Sequence, residues 1–464
     1  MLFTHRTSGR DSTLVSPPRK QKELSILKYV AAKGARLGRT SSTVSGLALL
    51  IALILVLAGC GNGEQAQNDA SGINEPQESS AGTTAVGGST TATTATVADD
   101  QEFTPIVGRV LDAPIPFAGS DGRTHLVYEL EATNFTSGET TVERLEVIDA
   151  DTDDVLTSLD AEEVTGRLQP AGLREPVDTL TPSLTALVFL HVSFDETNQV
   201  PDRLVHRLSL KAAAAPPGQQ KITELVGPTE VDRRDVAVVG PPLRGSNYLA
   251  ADSCCDAARH TRAALPVDGK VWVAQRYAVD YEQLDAESRI YSGKKKDLDS
   301  YTIYGREAIA AADGTVVKVI DGLPEQTPGV FPEGISLEEA DGNSVILDIG
   351  GGNYALYAHF QPDSIRVQEG DRVKRGDVLA LVGNSGNSLA PHLHFHVMST
   401  PQSLASNGLP YEVDSFTVTG RNTAGTEAFD KAEAEGTPLK VSPVDPAERV
   451  TDVMPLDQFV VDFG

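Results

Sequence analysis

Residues 391–397 read Pro-His-Leu-His-Phe-His-Val, an alternation that extended backbone sorts onto two faces. On a strand, His392, His394 and His396 line one side while Leu393, Phe395 and Val397 pack on the other. Three of the chain's nine histidines fall in this stretch. Imidazole is the commonest metal ligand and a general acid or base near neutral pH, so the array predicts a metal site on a sheet face. The same period of two recurs upstream. Leu126, Tyr128, Leu130 and Ala132 alternate with Val127, Glu129 and Glu131, and Leu204, His206, Leu208 and Leu210 repeat the pattern. With 41 Gly and 27 Pro among 464 residues to supply turns, the pattern predicts an all-β chain of short strands.

The N-terminus reads as an address. Gly46 to Gly59 carries no charge and follows a flank rich in Lys and Arg; it is shorter than the about 20 residues of a spanning helix, and matches a secretory signal. Leu57-Ala58-Gly59-Cys60 resembles the lipobox of bacterial lipoproteins, which implies cleavage before Cys60, lipidation of its thiol and an extracytoplasmic protein anchored to the bacterial cell membrane. A short membrane anchor that stays attached is the other reading.

Residues 1–60 are thus a lipoprotein-type signal segment. Residues 61–102, rich in Ser, Thr, Gly and Ala with few large apolar side chains, are predicted to form a disordered tether. Residues 103–213 hold about seven strand-like segments separated by turn clusters and predict an immunoglobulin-like β-sandwich. A Pro- and Gly-containing linker over 214–250 leads to a second β-rich unit at 251–400, followed by a C-terminal extension, 401–464, expected to end in a loose tail. The net charge of −26 excludes a general nucleic-acid binder, which must neutralise phosphates.

The second unit carries the chemistry. Ala390-Pro391-His392-Leu393-His394-Phe395, following Gly383-Asn384-Ser385-Gly386-Asn387-Ser388, resembles the C-terminal signature of the lysostaphin-like zinc endopeptidases of bacterial cell walls. Three further segments fit in order: Ala311 to Val317, Leu356-Tyr357-Ala358-His359-Phe360, and Val367 to Val378. The resemblance implies a lysostaphin-type antiparallel β-sheet/barrel-sandwich core, one zinc ion as cofactor, and a substrate peptide bond in peptidoglycan stems or cross-bridges. In that family a His-x-x-x-Asp pair and the second His of His-x-His bind zinc. Carried over, Asp280 and His394 are implied ligands, while His359 and His392 are the implied catalytic residues that orient the water and stabilise the developing oxyanion.

The first family ligand is absent. Arg276 stands four residues before Asp280, and a guanidinium, never deprotonated in proteins, cannot bind zinc and is placed to pair with the Asp280 carboxylate instead. Two histidines are candidate substitutes. His396 shares the face of His394, and His260 can fold back from the segment containing Cys254 and Cys255. Outside the cytoplasm those two cysteines are expected to be an oxidised pair in a constrained turn. The insertion from Asp321 to Asp341 is long for a hairpin connection and is a candidate rim for the substrate groove.

Two functions follow: a zinc metalloendopeptidase of the cell envelope, or an inactive member of the same fold that binds wall peptides or activates a separate wall hydrolase as its partner. A biotinyl or lipoyl carrier is set aside, because no Met-Lys-Met or equivalent occurs at a hairpin tip.

Overall fold

Alternating apolar side chains bury one face of each strand, and two such faces pressed together form a core. The computed structural model describes residues 102–464; the signal segment, Cys60 and nearly all of the tether lie outside them. The described chain divides into two units, one over 124–234 with residues up to Pro116, the other over 235–464 with Phe117–Arg123. The all-β expectation holds, with antiparallel sheets in both units and few helices.

In the N-terminal unit the strands include β1 (Ile106–Val110), β2 (Thr124–Asn134), β3 (Thr140–Asp149), β4 (Val155–Asp160), β5 (Leu168–Pro170), β6 (Thr185–Phe194), β7 (Arg203–Ala212) and β8 (Lys221–Glu230). One sheet runs β1-β2-β6-β5 and the other β8-β7-β3-β4. Leu126, Tyr128 and Leu130 from the first meet Leu145, Val147, Leu204 and Leu208 from the second in one buried core. The predicted linker is largely structured. Residues 221–230 are a strand of the second sheet, and the C-terminal unit begins at Asp235, because β8 buries Val226 against the sandwich core.

The C-terminal unit is built on an eleven-stranded sheet. Its strands include β9 (Gly245–Ala251), β10 (Val279–Gln283), β11 (Gly314–Ile320), β12 (Asn343–Gly350), β13 (Asn353–Phe360), β14 (Arg372–Val373), β15 (Leu393–Met398), β16 (Phe416–Asn422), β17 (Val441–Val450) and β18 (Phe459–Phe463). They lie in the order β14-β11-β12-β13-β15-β10-β9-β18-β16-β17. The end of the chain is no loose tail. β18 is an interior strand between β9 and β16, with Val460, Val461 and Phe463 buried. Helix α1 (Gly425–Glu435), which ends at Gly436 in the left-handed conformation, packs Phe429 and Ala432 against Leu249, Leu284, Tyr291 and Tyr301.

Candidate metal centre

The middle strands β13, β15 and β10 fix the site by register. On β15, His394 pairs with Asp280 of β10 on one side and with Ala358 of β13 on the other. Residues directly opposite share a face, so Asp280 and His394 meet: His394 Nδ1 lies 2.8 Å from Asp280 Oδ1. His392, just before β15, brings its Nε2 to 3.4 Å from the same oxygen.

His359 reaches this face against the alternation. Ala358 already faces His394, so the next residue of a regular strand would point away. Instead His359 has a φ of 66° and the register with β12 slips between Tyr357 and Phe360, a bulge that turns the imidazole back. Its ring centre lies 4.7 Å from that of His392 and 5.8 Å from that of His394. Left-handed backbone in a non-glycine residue costs about 1–2 kcal/mol and persists where surrounding structure imposes it. Here His359 N–H donates to Asp341 O and His359 O accepts from Gly383 N–H, both at 3.0 Å.

His260 completes the group from outside the sheet. It sits in a single helical turn, Ala258–Thr261, and its Nε2 is 3.4 Å from Asp280 Oδ2. The segment before it is clamped by the C-terminal residues: Ser253 Oγ donates to Pro455 O, Asp457 N–H donates to Cys254 O, and Arg259 pairs with Asp252 and with Asp430 of α1. Cys254 and Cys255 are joined to each other by a disulfide.

Hydrogen bonds define the tautomers. A carbonyl oxygen only accepts, so a ring nitrogen facing one carries the proton, and the other nitrogen of a neutral ring is a bare lone pair. His260 Nδ1 faces Asp252 O at 2.9 Å and Ala278 O at 3.3 Å; His359 Nδ1 faces Ser385 O at 2.8 Å; His392 Nδ1 faces Ala390 O at 2.8 Å. His260 and His359 therefore offer Nε2 lone pairs, whereas His392 faces acceptors with both nitrogens, Ala390 O and Asp280 Oδ1. These backbone partners carried no signal in the sequence, because carbonyls are present in every residue and only the fold selects among them.

Charge follows the same geometry. Burial alone would push the Asp280 carboxyl up, but His260 and His392 beside it hold it well below the usual carboxylate range. Burial pushes His260 down, against the pull of Asp280. His359 is driven well down by burial and by His392 and His394, whereas the Asp280 carboxylate overcomes burial and raises His392. On this face, two sets of side chains have donor atoms all within 4.8 Å of one another: His260, Asp280 and His394, and His359, His392 and His394. The first, two imidazoles and an ionised carboxylate, suits a zinc ion, which takes three such protein donors in catalytic sites.

His396, a candidate substitute ligand, is not brought into either group. It lies behind His394, with its Nδ1 2.9 Å from His394 Nε2. Arg276 is buried, and its Nη1 lies 3.5 Å from Gly408 O. The 321–341 insertion braces the wall of the site. Gln326 N–H donates to Asn384 O, Gly329 N–H to Leu389 O, and Asn387 N–H to Ala340 O.

Residues 294–406 match the model of Peptidase family M23, a stretch that contains His359, His392 and His394. The match supports a lysostaphin-like M23 peptidase domain in the C-terminal unit, and peptidases of that family are zinc metalloendopeptidases. Among curated proteins the chain is similar to the peptidoglycan DD-endopeptidase ShyA of Vibrio cholerae serotype O1, 27% identical over 175 residues, 35% of this chain and 37% of that protein. It is also similar to an uncharacterized metalloprotease of Haemophilus influenzae, 35% identical over 104 residues, 22% of this chain and 18% of that protein. The chain thus spans well under half the length of either. Among solved structures it is similar to the catalytic domain of the prophage-encoded M23 protein EnpA of Enterococcus faecalis, at 22% identity, 34% coverage of this chain and 84% of that one, and a TM-score of 0.21.

Proposed function

We propose that the C-terminal unit is a zinc metalloendopeptidase that cleaves peptide bonds in peptidoglycan stems or cross-bridges outside the cytoplasm. The observation that carries the reading is the convergence of His260 Nε2, Asp280 and His394 Nδ1, three donors of the right chemistry within 4.8 Å of one another. In this reading His260 takes the place that Arg276 cannot fill. A bound zinc would act as a Lewis acid on a water and on the scissile carbonyl. His359 presents an Nε2 lone pair, suited to accept a proton from that water and return it to the leaving amine. The Asp280 carboxylate holds His392 toward its charged form, which suits it to stabilise a developing oxyanion.

The peptidoglycan substrate is supported by the M23 match and by the similarity to a peptidoglycan DD-endopeptidase. Anchoring through a lipid at Cys60 is part of the same reading and rests on the signal-like N-terminus; among the described residues no helix is long and apolar enough to cross a membrane. Arg276, at the position of the first family ligand, favours the second reading, a protein without activity that binds wall peptides or activates a partner hydrolase.

The test is digestion of purified peptidoglycan by the zinc-loaded chain, with soluble peptides read by mass spectrometry. Peptide release that stops with chelator and returns with zinc is expected. A zinc-loaded protein that releases nothing, yet binds the sacculus, moves the conclusion to the second reading.

A further inference from the structure

Three of the four imidazoles around Asp280 have their tautomer locked by backbone carbonyls, but His394 does not. Its two nitrogens face Asp280 Oδ1 at 2.8 Å and His396 Nδ1 at 2.9 Å. His396 is fully buried, its ring edge-on to His394 with centres 5.0 Å apart, and its Nε2 has no hydrogen-bond partner. The second nitrogen of His394 thus faces an imidazole whose own tautomer no other hydrogen bond fixes.

We propose that His396 is a positioning residue whose tautomer reverses with that of His394 when the metal site fills. The inference rests on reading His394 as a metal ligand. Without metal, the ionised Asp280 can only accept, so His394 carries its proton on Nδ1. Its Nε2 is then a lone pair that accepts from His396 Nδ1–H, and His396 Nε2 is bare. A cation held beside Asp280 needs the Nδ1 lone pair of His394, so the ring must carry its proton on Nε2 and donate it to His396 Nδ1. His396 must then carry its proton on Nε2.

The exchange balances. His394 loses the Nδ1 proton to water and takes a proton on Nε2 from His396 Nδ1, while His396 Nε2 takes one from water. Two protons sit on the pair before and after, and both rings stay neutral. Ligating histidines usually donate their second N–H to a carboxylate or carbonyl that accepts in either state. An imidazole accepts in only one tautomer, so here ligand and support must switch together.

The experiment is long-range nitrogen–proton NMR of the full chain labelled with nitrogen-15 histidine, before and after titration with zinc alone. Both His394 and His396 are expected as Nδ1–H forms without zinc and as Nε2–H forms with it. His394 already protonated on Nε2 in the metal-free protein, or His396 keeping Nδ1–H in the zinc-loaded protein, overturns the proposal and leaves the metallopeptidase reading standing. No zinc uptake at all overturns both. A second arm measures zinc affinity by chelator competition. His396→Leu should weaken binding about tenfold to a hundredfold, and His396→Asn, whose amide oxygen stands near the Nδ1 position, should recover most of it. Equal affinity in His396→Leu and the parent contradicts the positioning role.

Discussion

His260 Nε2 stands 3.4 Å from Asp280 Oδ2, although the hairpin of Leu265–Val267 with Lys270–Trp272 intervenes in the chain. In the proposed site this contact brings a third donor where the local motif lacks one. The His260 segment is held by Arg259, which joins Asp252 to Asp430 of α1. Asp430→Asn should therefore weaken zinc binding several-fold and cost about 2 kcal/mol of stability, the scale of a hydrogen bond to a charged group. Chelator competition alongside thermal denaturation checks this, and unaltered zinc affinity would show that α1 does not support the site.

His359 and His392 stand beside the proposed ligands without belonging to the His260, Asp280 and His394 group. His359→Ala and His392→Ala should each lower kcat by about a hundredfold to ten-thousandfold, the range of general acid–base catalysis, while one zinc stays bound. Loss of zinc in either variant would reassign that histidine as a ligand.

Removal of residues 451–464 should unfold the C-terminal unit. The segment contains β18, an interior strand, and burying each of its large apolar side chains contributes about 1.5–3 kcal/mol. Together these exceed much of a domain's typical margin of about 5–15 kcal/mol. Near-ultraviolet circular dichroism and limited proteolysis report the result; a truncated protein that keeps a cooperative transition would contradict the sheet order.

In the N-terminal unit, Tyr128 O–H donates to His206 Nε2 at 3.0 Å and His206 Nδ1–H donates to Val226 O at 3.2 Å. Burial pushes this imidazole down to about 4, against the Val226 carbonyl. The unfolded chain, with an ordinary histidine near 6.5, binds the proton first, so stability is full above that value and falls as pH drops toward 4. The loss is about 3 kcal/mol. Calorimetry from pH 8 to 4 should show the transition of this unit falling in that window, and His206→Leu should flatten the slope.

Much of this was legible in the chain because it rests on local periodicity. The alternation at 391–397 places His394 opposite Asp280, and the apolar rhythm of β2 and β7 marks a sandwich core. What was not legible depends on tertiary closure. No spacing rule joins His260 to Asp280, and the inward turn of His359 comes from a bulge with no glycine to announce it. Phe459-Val-Val-Asp-Phe is as apolar as an interior strand, but its place between β9 and β16 is set by partners far along the chain. His396 shares the predicted strand face, yet the short contact with His394 Nε2 sets it behind that ring.

The most direct test is the zinc content of the purified full chain and of His260→Ala, measured by elemental analysis after dialysis against metal-free buffer. One zinc per chain in the parent and less than about a tenth of that in His260→Ala is the result expected when three protein donors are cut to two. Full zinc occupancy in His260→Ala would contradict the account, because the ion would then be held without the histidine that replaces the missing ligand.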